Sequence, residues 1–82
     1  MPEAATEGRL RWRMMRRGLL ELDLVFERFL EWDFDKLDDG QRADLDRLLD
    51  YEDTDLWAVL SGREECADPS LRDLVVRLRA VG

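Results

Sequence analysis

Apolar side chains recur along this chain at intervals of three and four, which gathers them on single helix faces, and no segment alternates apolar and polar residues as a half-buried strand does. From Arg9 to Arg17 the spacing predicts a first helix with Leu10 and Met14 on one face and Trp12 and Met15 on another, ended or sharply bent by Gly18. The strongest stripe follows. Leu22, Val25, Phe26, Phe29 and Leu30 share one side of a helix predicted over Leu19–Trp32, with Asp23, Glu27 and Glu31 along its solvated edge. This helix is the expected centre of the core.

Asp33–Leu37 reads as a short acidic connection carrying Phe34. Asp38, with Gln41 three positions on, has the pattern of a capping box opening a third helix, in which Leu45, Leu48 and Leu49 face inward. Asp53 is the expected N-cap of a short fourth helix holding Leu56, Trp57 and Leu60, with Gly62 as its C-terminal cap. Asp68-Pro69 opens the fifth, since proline suits the first helical position, and its stripe is Leu71, Leu74, Val75, Leu78 and Val81. The fold class is therefore all-α, a small bundle of about five short helices joined by short connections. Residues 1–8 are expected to be a flexible tail and residues 9–82 a single domain, with most aromatic side chains in its core.

Size limits what such a core can do. A chain of 82 residues buries only about 60% of its unfolded surface, and an enclosed pocket for a drug-sized ligand or cofactor needs on the order of 300 Å³ or more. A shallow surface site is the natural expectation. The chemistry available is also thin: there is no histidine, and the single cysteine, Cys66, lies beside Glu64, Glu65 and Asp68, whose charge opposes a thiolate. The carboxylates Asp33, Asp35, Asp38 and Asp39 crowd an open loop without the glycine and terminal glutamate of a calcium loop, and read as solvated caps. No catalytic residue and no metal ligand is assigned, and the chain is not expected to be an enzyme.

Charge is unevenly spread. The net charge is −7, yet Arg9, Arg11, Arg13, Arg16 and Arg17 cluster in one short segment. The acidic remainder repels phosphates, so nucleic acid is not an expected partner, and the cluster suits either an acidic protein face or neutralisation of the acidic body. With no apolar run of spanning length and no secretion or transit signal at the start, direct membrane insertion is not expected and the cytoplasm is the expected location.

The segment Arg16-Arg17-Gly18-Leu19-Leu20-Glu21-Leu22-Asp23 sets a glycine between a doubly positive step and two carboxylates. Two readings stand. In one, Gly18 is a helix cap and Arg17 and Glu21 form an exposed ion pair worth about 0.2–1 kcal/mol. In the other, Gly18 lets the backbone of a partner approach while Arg17 and Glu21 flank the contact as oppositely charged anchors.

The pattern Arg-Gly-x-x-Glu-Leu-Asp at Arg17 to Asp23, preceded by Arg9-Leu10-Arg11-Trp12, resembles the succinate dehydrogenase assembly factor family, bacterial SdhE, also labelled YgfY or CptB. The resemblance continues through Leu48-Leu49, Asp53-Thr54-Asp55-Leu56-Trp57 and Leu60-Ser61-Gly62, with Thr54 and Val59 standing where relatives often carry proline and a second aromatic residue. It implies a chaperone-like helper that binds the flavoprotein subunit of succinate dehydrogenase, or of fumarate reductase, and promotes covalent attachment of FAD to a histidine of that subunit. FAD would be the cofactor of the partner, with none held tightly by this chain. The resemblance places Arg17, Gly18 and Glu21 at the centre of the contact surface, with Arg11, Arg16, Leu19 and Asp23 nearby, and a monomer is expected. An alternative role attached to the same family is an antitoxin-type regulator that binds a small toxin.

Overall fold

In the computed structural model, which describes residues 7–81, the helices run α1 (Glu7–Met15), α2 (Leu20–Trp32), α3 (Asp39–Leu48), α4 (Asp53–Leu60) and α5 (Arg72–Val81), with no strand among the described residues. Residues 1–6 of the expected tail lie outside the described residues, while Glu7 and Gly8 already belong to α1. The earlier start has a local cause. Glu7 sits in the first turn, where the helix dipole favours a carboxylate, and accepts a hydrogen bond from Arg11 Nε at 2.8 Å, one turn on.

The core is built around α2. Leu22, Val25, Phe26 and Phe29 are all buried on one side of it, and α1, α4, α5 and the turn at Phe34 pack against it. Leu10 and Met14 enter from α1, Leu45 and Leu48 from α3, Leu56, Val59 and Leu60 from α4, and Leu74, Val75 and Leu78 from α5. Leu30 and Val81, the last members of their stripes, are only partly buried against the core. Val59 is buried in the cluster, so the departure at that position is an aliphatic filling of the core.

The connections follow the expected chemistry at Asp38 and Gly62 and add two short 3₁₀ turns. Asp38 and Gln41 form both halves of the capping box at 2.8 and 2.9 Å. Gly62 takes a φ of +87°, the left-handed conformation that terminates α4, and its N–H bonds the Val59 carbonyl. Phe34 opens a short 3₁₀ turn, Phe34–Lys36, and is fully buried, its ring 5.5 Å from the Arg11 guanidinium and 5.0 Å from that of Arg42. Asp68 and Pro69 start a 3₁₀ turn, Pro69–Leu71, that leads into α5, so the fifth helix proper begins at Arg72. Two of the three tryptophans depart from the core expectation: Trp12 and Trp32 are exposed, while Trp57 packs partly against the cluster. No helix of the described residues is long and apolar enough to cross a membrane.

The packing predicts that Phe26→Ala costs about 3–5 kcal/mol, a large part of the stability of so small a domain, readable as a lower denaturant midpoint. A second prediction concerns acid. Hydrogen bonds from Ser70, with support from the Arg47 guanidinium, hold the Asp68 carboxyl below the usual aspartate range. Its folded value lies below its unfolded one, so the stability it contributes is present above about pH 4 and is lost as the pH falls through the folded value. Asp68→Asn should therefore lower the melting temperature at pH 7 and narrow its fall between pH 7 and pH 3.

Candidate functional site

Arginines spaced four apart fall on one line down a helix, and Arg9, Arg13 and Arg17 form such a line facing the C-terminal end of α3. Arg9 meets Asp46 at 3.3 Å, and Arg13 forks to Asp46 and Asp50 at 2.6 Å each while also donating to the Asp46 carbonyl at 2.8 Å. Burial alone would depress the Arg13 guanidinium, but the hydrogen bonds to Asp50 and Asp46 outweigh it and hold its pKa above the ordinary arginine value. A helix end leaves carbonyls without intrahelical partners and carries partial negative charge, so a guanidinium there is doubly favoured.

Arg17 completes the line from outside the helix. The helix was expected to reach Arg17 but stops at Met15, and the released backbone lets the Arg17 side chain donate to the carbonyls of Leu49 and Tyr51 and to Asp53 Oδ1, the last at 3.0 Å. Its side chain is only 12% exposed. The expected Arg17–Glu21 pair is therefore not formed: Arg17 is drawn inward by Asp53 and two carbonyls, and Glu21, on the first turn of α2, is exposed with no hydrogen bond or ion pair among the described residues.

Asp53 departs from its expected role as well. Glu52 occupies the N-cap position of α4 without a side-chain cap, and Asp53 is the first helical residue. Its carboxylate turns across to the α1–α2 connection, taking Arg17 on one oxygen and the Gly18 N–H on the other at 3.2 Å. Asp53 thus ties the turn down at two successive residues. Spacing along the sequence does not reveal this role, because the contact spans 35 positions and leaves no local pattern. Beside this turn lies an open concavity of about 330 Å³, lined by Arg13, Arg16, Arg17, Leu49 and residues 50–53.

Gly18 is exposed, lies three residues past the end of α1, and is not in the left-handed region that glycine alone adopts readily. A Cβ built on it would meet nothing nearer than Asp53 Oδ2 at 4.0 Å. The cap reading thus loses its basis, because neither backbone conformation nor internal packing of this chain calls for glycine there.

The structure brings Arg16 and Arg17 together at this concavity, ties Gly18 to its Asp53, and disperses the other candidates. Arg16 is exposed and lies over the Trp12 ring, 4.5 Å from its centroid. Arg11 sits on the opposite edge of α1, paired with Glu7 and lining a separate groove with Met15, Glu27 and Leu30. Leu19 packs partly against the core at the N-cap of α2. Asp23 is half-buried, with Oδ1 enclosed and without a hydrogen-bond partner. Two residues along a helix is roughly 200° of rotation, so Asp23 and Glu21 occupy opposite edges of α2.

Residues 8–82 match the family model described as flavinator of succinate dehydrogenase. The chain belongs to this family. Proteins named FAD assembly factor SdhE resemble it over nearly all of its length: that of Xylella fastidiosa strain 9a5c is 42% identical over 81 residues, 99% of this chain and 82% of that protein. The Shewanella oneidensis protein is 42% identical over 72 residues, covering 88% and 87% of the two chains, and the Vibrio cholerae protein 36% over 80 residues, covering 98% and 92%. Family members are thus assembly factors by name, and the Arg17-Gly18-x-x-Glu21 turn falls inside the matched span.

The geometry separates the roles of adjacent residues. Arg17→Ala should cost about 1.5–3 kcal/mol, since it strands a carboxylate and two carbonyls that shared one guanidinium. Gly18→Ala should leave stability unchanged or raise it by up to about 1 kcal/mol through a stiffer unfolded chain. Thermal and urea melts of the two variants beside the parent check both.

Proposed function

We propose that this chain binds the flavoprotein subunit of succinate dehydrogenase, or of fumarate reductase, through the turn from Arg16 to Glu21, and so promotes covalent attachment of FAD to that subunit. The observation that carries this reading is Gly18. It is exposed and pinned in place by Asp53, yet nothing within the fold requires the absence of a side chain there. A bare stretch of backbone tethered by a hydrogen bond is the surface against which a partner's own backbone can close. Glu21, exposed and unpaired among the described residues, supplies a charge three residues on. Family membership supplies the class of partner.

Arg17 then acts as a positioning residue, and Gly18, Glu21 and Arg16 are contacts. The chain contains no histidine to accept a flavin, and the attachment chemistry belongs to the partner and its FAD. The helper raises the population of the partner conformer in which the flavin and its acceptor are aligned. A preference of about 1.4 kcal/mol for that conformer shifts its ratio tenfold. No catalytic group of this chain is needed.

Co-expression with the flavoprotein subunit of the host, followed by denaturation and in-gel flavin fluorescence, tests the reading. Covalent flavin should rise with the parent chain. With Gly18→Arg it should return to the level without helper although the variant stays folded, and Glu21→Ala should reduce it. An unchanged flavin signal, with no copurification of the two proteins, would exclude the role; equal losses of melting temperature and binding in Gly18→Arg would return Gly18 to a purely structural position.

A further inference from the structure

Of the five arginines between Arg9 and Arg17, four are matched by carboxylates of this chain: Arg9 and Arg13 by Asp46, Arg11 by Glu7 and Arg17 by Asp53. Arg16 has no carboxylate partner among the described residues, although acidic residues outnumber basic ones by 20 to 13 and Asp50, Glu52 and Asp53 line the same concavity. The fold instead lays its guanidinium on the face of Trp12, 4.5 Å from the ring centroid. That indole is 62% exposed, on the outer side of α1. A cation stacked on an aromatic face is held in orientation while its in-plane N–H groups stay free for a bidentate acceptor.

Met15, 50% exposed, lies three positions from Trp12 on the same helix and so beside it. Exposed Trp, Met and Arg together make the composition enriched at the centres of protein interfaces. The position is continuous with the Gly18 turn, because Arg16 both stacks on Trp12 and lines the concavity beside Arg17 and Asp53.

We infer that Trp12 and Arg16 form a pre-oriented anchor that takes a carboxylate of the partner protein, set within an apolar rim that covers the Trp12 indole and Met15. The anchor rests on the flavoprotein reading above and extends its surface from the turn onto α1. Stacking restricts the long Arg16 side chain before the partner arrives, so less entropy is lost on docking. The internal pairing of the other arginines directs the partner's acid to this one.

The test is a binding titration of the full chain against the purified flavoprotein subunit at low and high salt, with Trp12→Ala, Arg16→Gln, Arg16→Lys and Gly18→Arg beside the parent. Trp12→Ala and Arg16→Gln should each weaken binding about tenfold or more with unchanged melting temperature. Their double variant should be little worse than either alone, because each removes the same unit. Arg16→Gln should also flatten the salt dependence, and Arg16→Lys should fail to restore full affinity.

Parent binding that Gly18→Arg abolishes while Trp12→Ala and Arg16→Gln stay within about threefold of the parent overturns the anchor and leaves the flavoprotein reading standing. An unchanged salt slope in Arg16→Gln overturns the carboxylate as its acceptor. Melting temperatures that fall in step with affinity make the pair structural and overturn it likewise. If the parent chain does not bind the subunit, the flavoprotein reading fails and the anchor with it.

Discussion

The contact on which this fold depends is the line of arginines that α1 lays across the C-terminal end of α3. A nine-residue helix contributes few buried side chains, here Leu10 and Met14, and is marginal by itself. What fixes it is that Arg9, Arg13 and Arg17 meet the carboxylates of Asp46, Asp50 and Asp53 and the open carbonyls at and past the end of α3. These bonds join residues more than thirty positions apart, and so set where the α1–α2 connection lies relative to the start of α4.

The same line divides α1 into edges with different fates. One edge is consumed by α3, a second is the apolar pair facing the core, and the third, with Trp12, Met15 and Arg16, is left to solvent. The turn that follows inherits this division. Because Arg17 is drawn inward, Gly18 is held at the surface by a hydrogen bond to Asp53, and its backbone is presented without a side chain. Under the proposed function, backbone tethered in this way would lose little entropy on association.

Much of the architecture was legible because it arises from local chemistry. The α2 stripe, the Asp38–Gln41 box, the left-handed Gly62 and the proline-initiated turn at Asp68 each involve residues within about a turn of one another, where periodicity and capping rules operate. The tryptophans were less legible. Trp12 lies off the Leu10–Met14 face, as its spacing required, but that it would remain exposed and hold Arg16 depended on which neighbours packed beside α1.

The candidate site divides along the same boundary. The sequence by itself determined the all-α class, the positions of the helices to within a few residues, the core stripes, and the marked character of the Arg16–Asp23 segment, all of which follow from spacing along one chain. Only the tertiary structure decided that Arg17 pairs with Asp53 rather than Glu21, that Gly18 is not a cap, that Asp23 Oδ1 is enclosed without a hydrogen-bond partner, and that Arg16 alone in its cluster lacks a carboxylate among the described residues. The physical reason is that a charge takes the partner that three-dimensional packing brings nearest and desolvates best, and sequence separation carries no information about that distance.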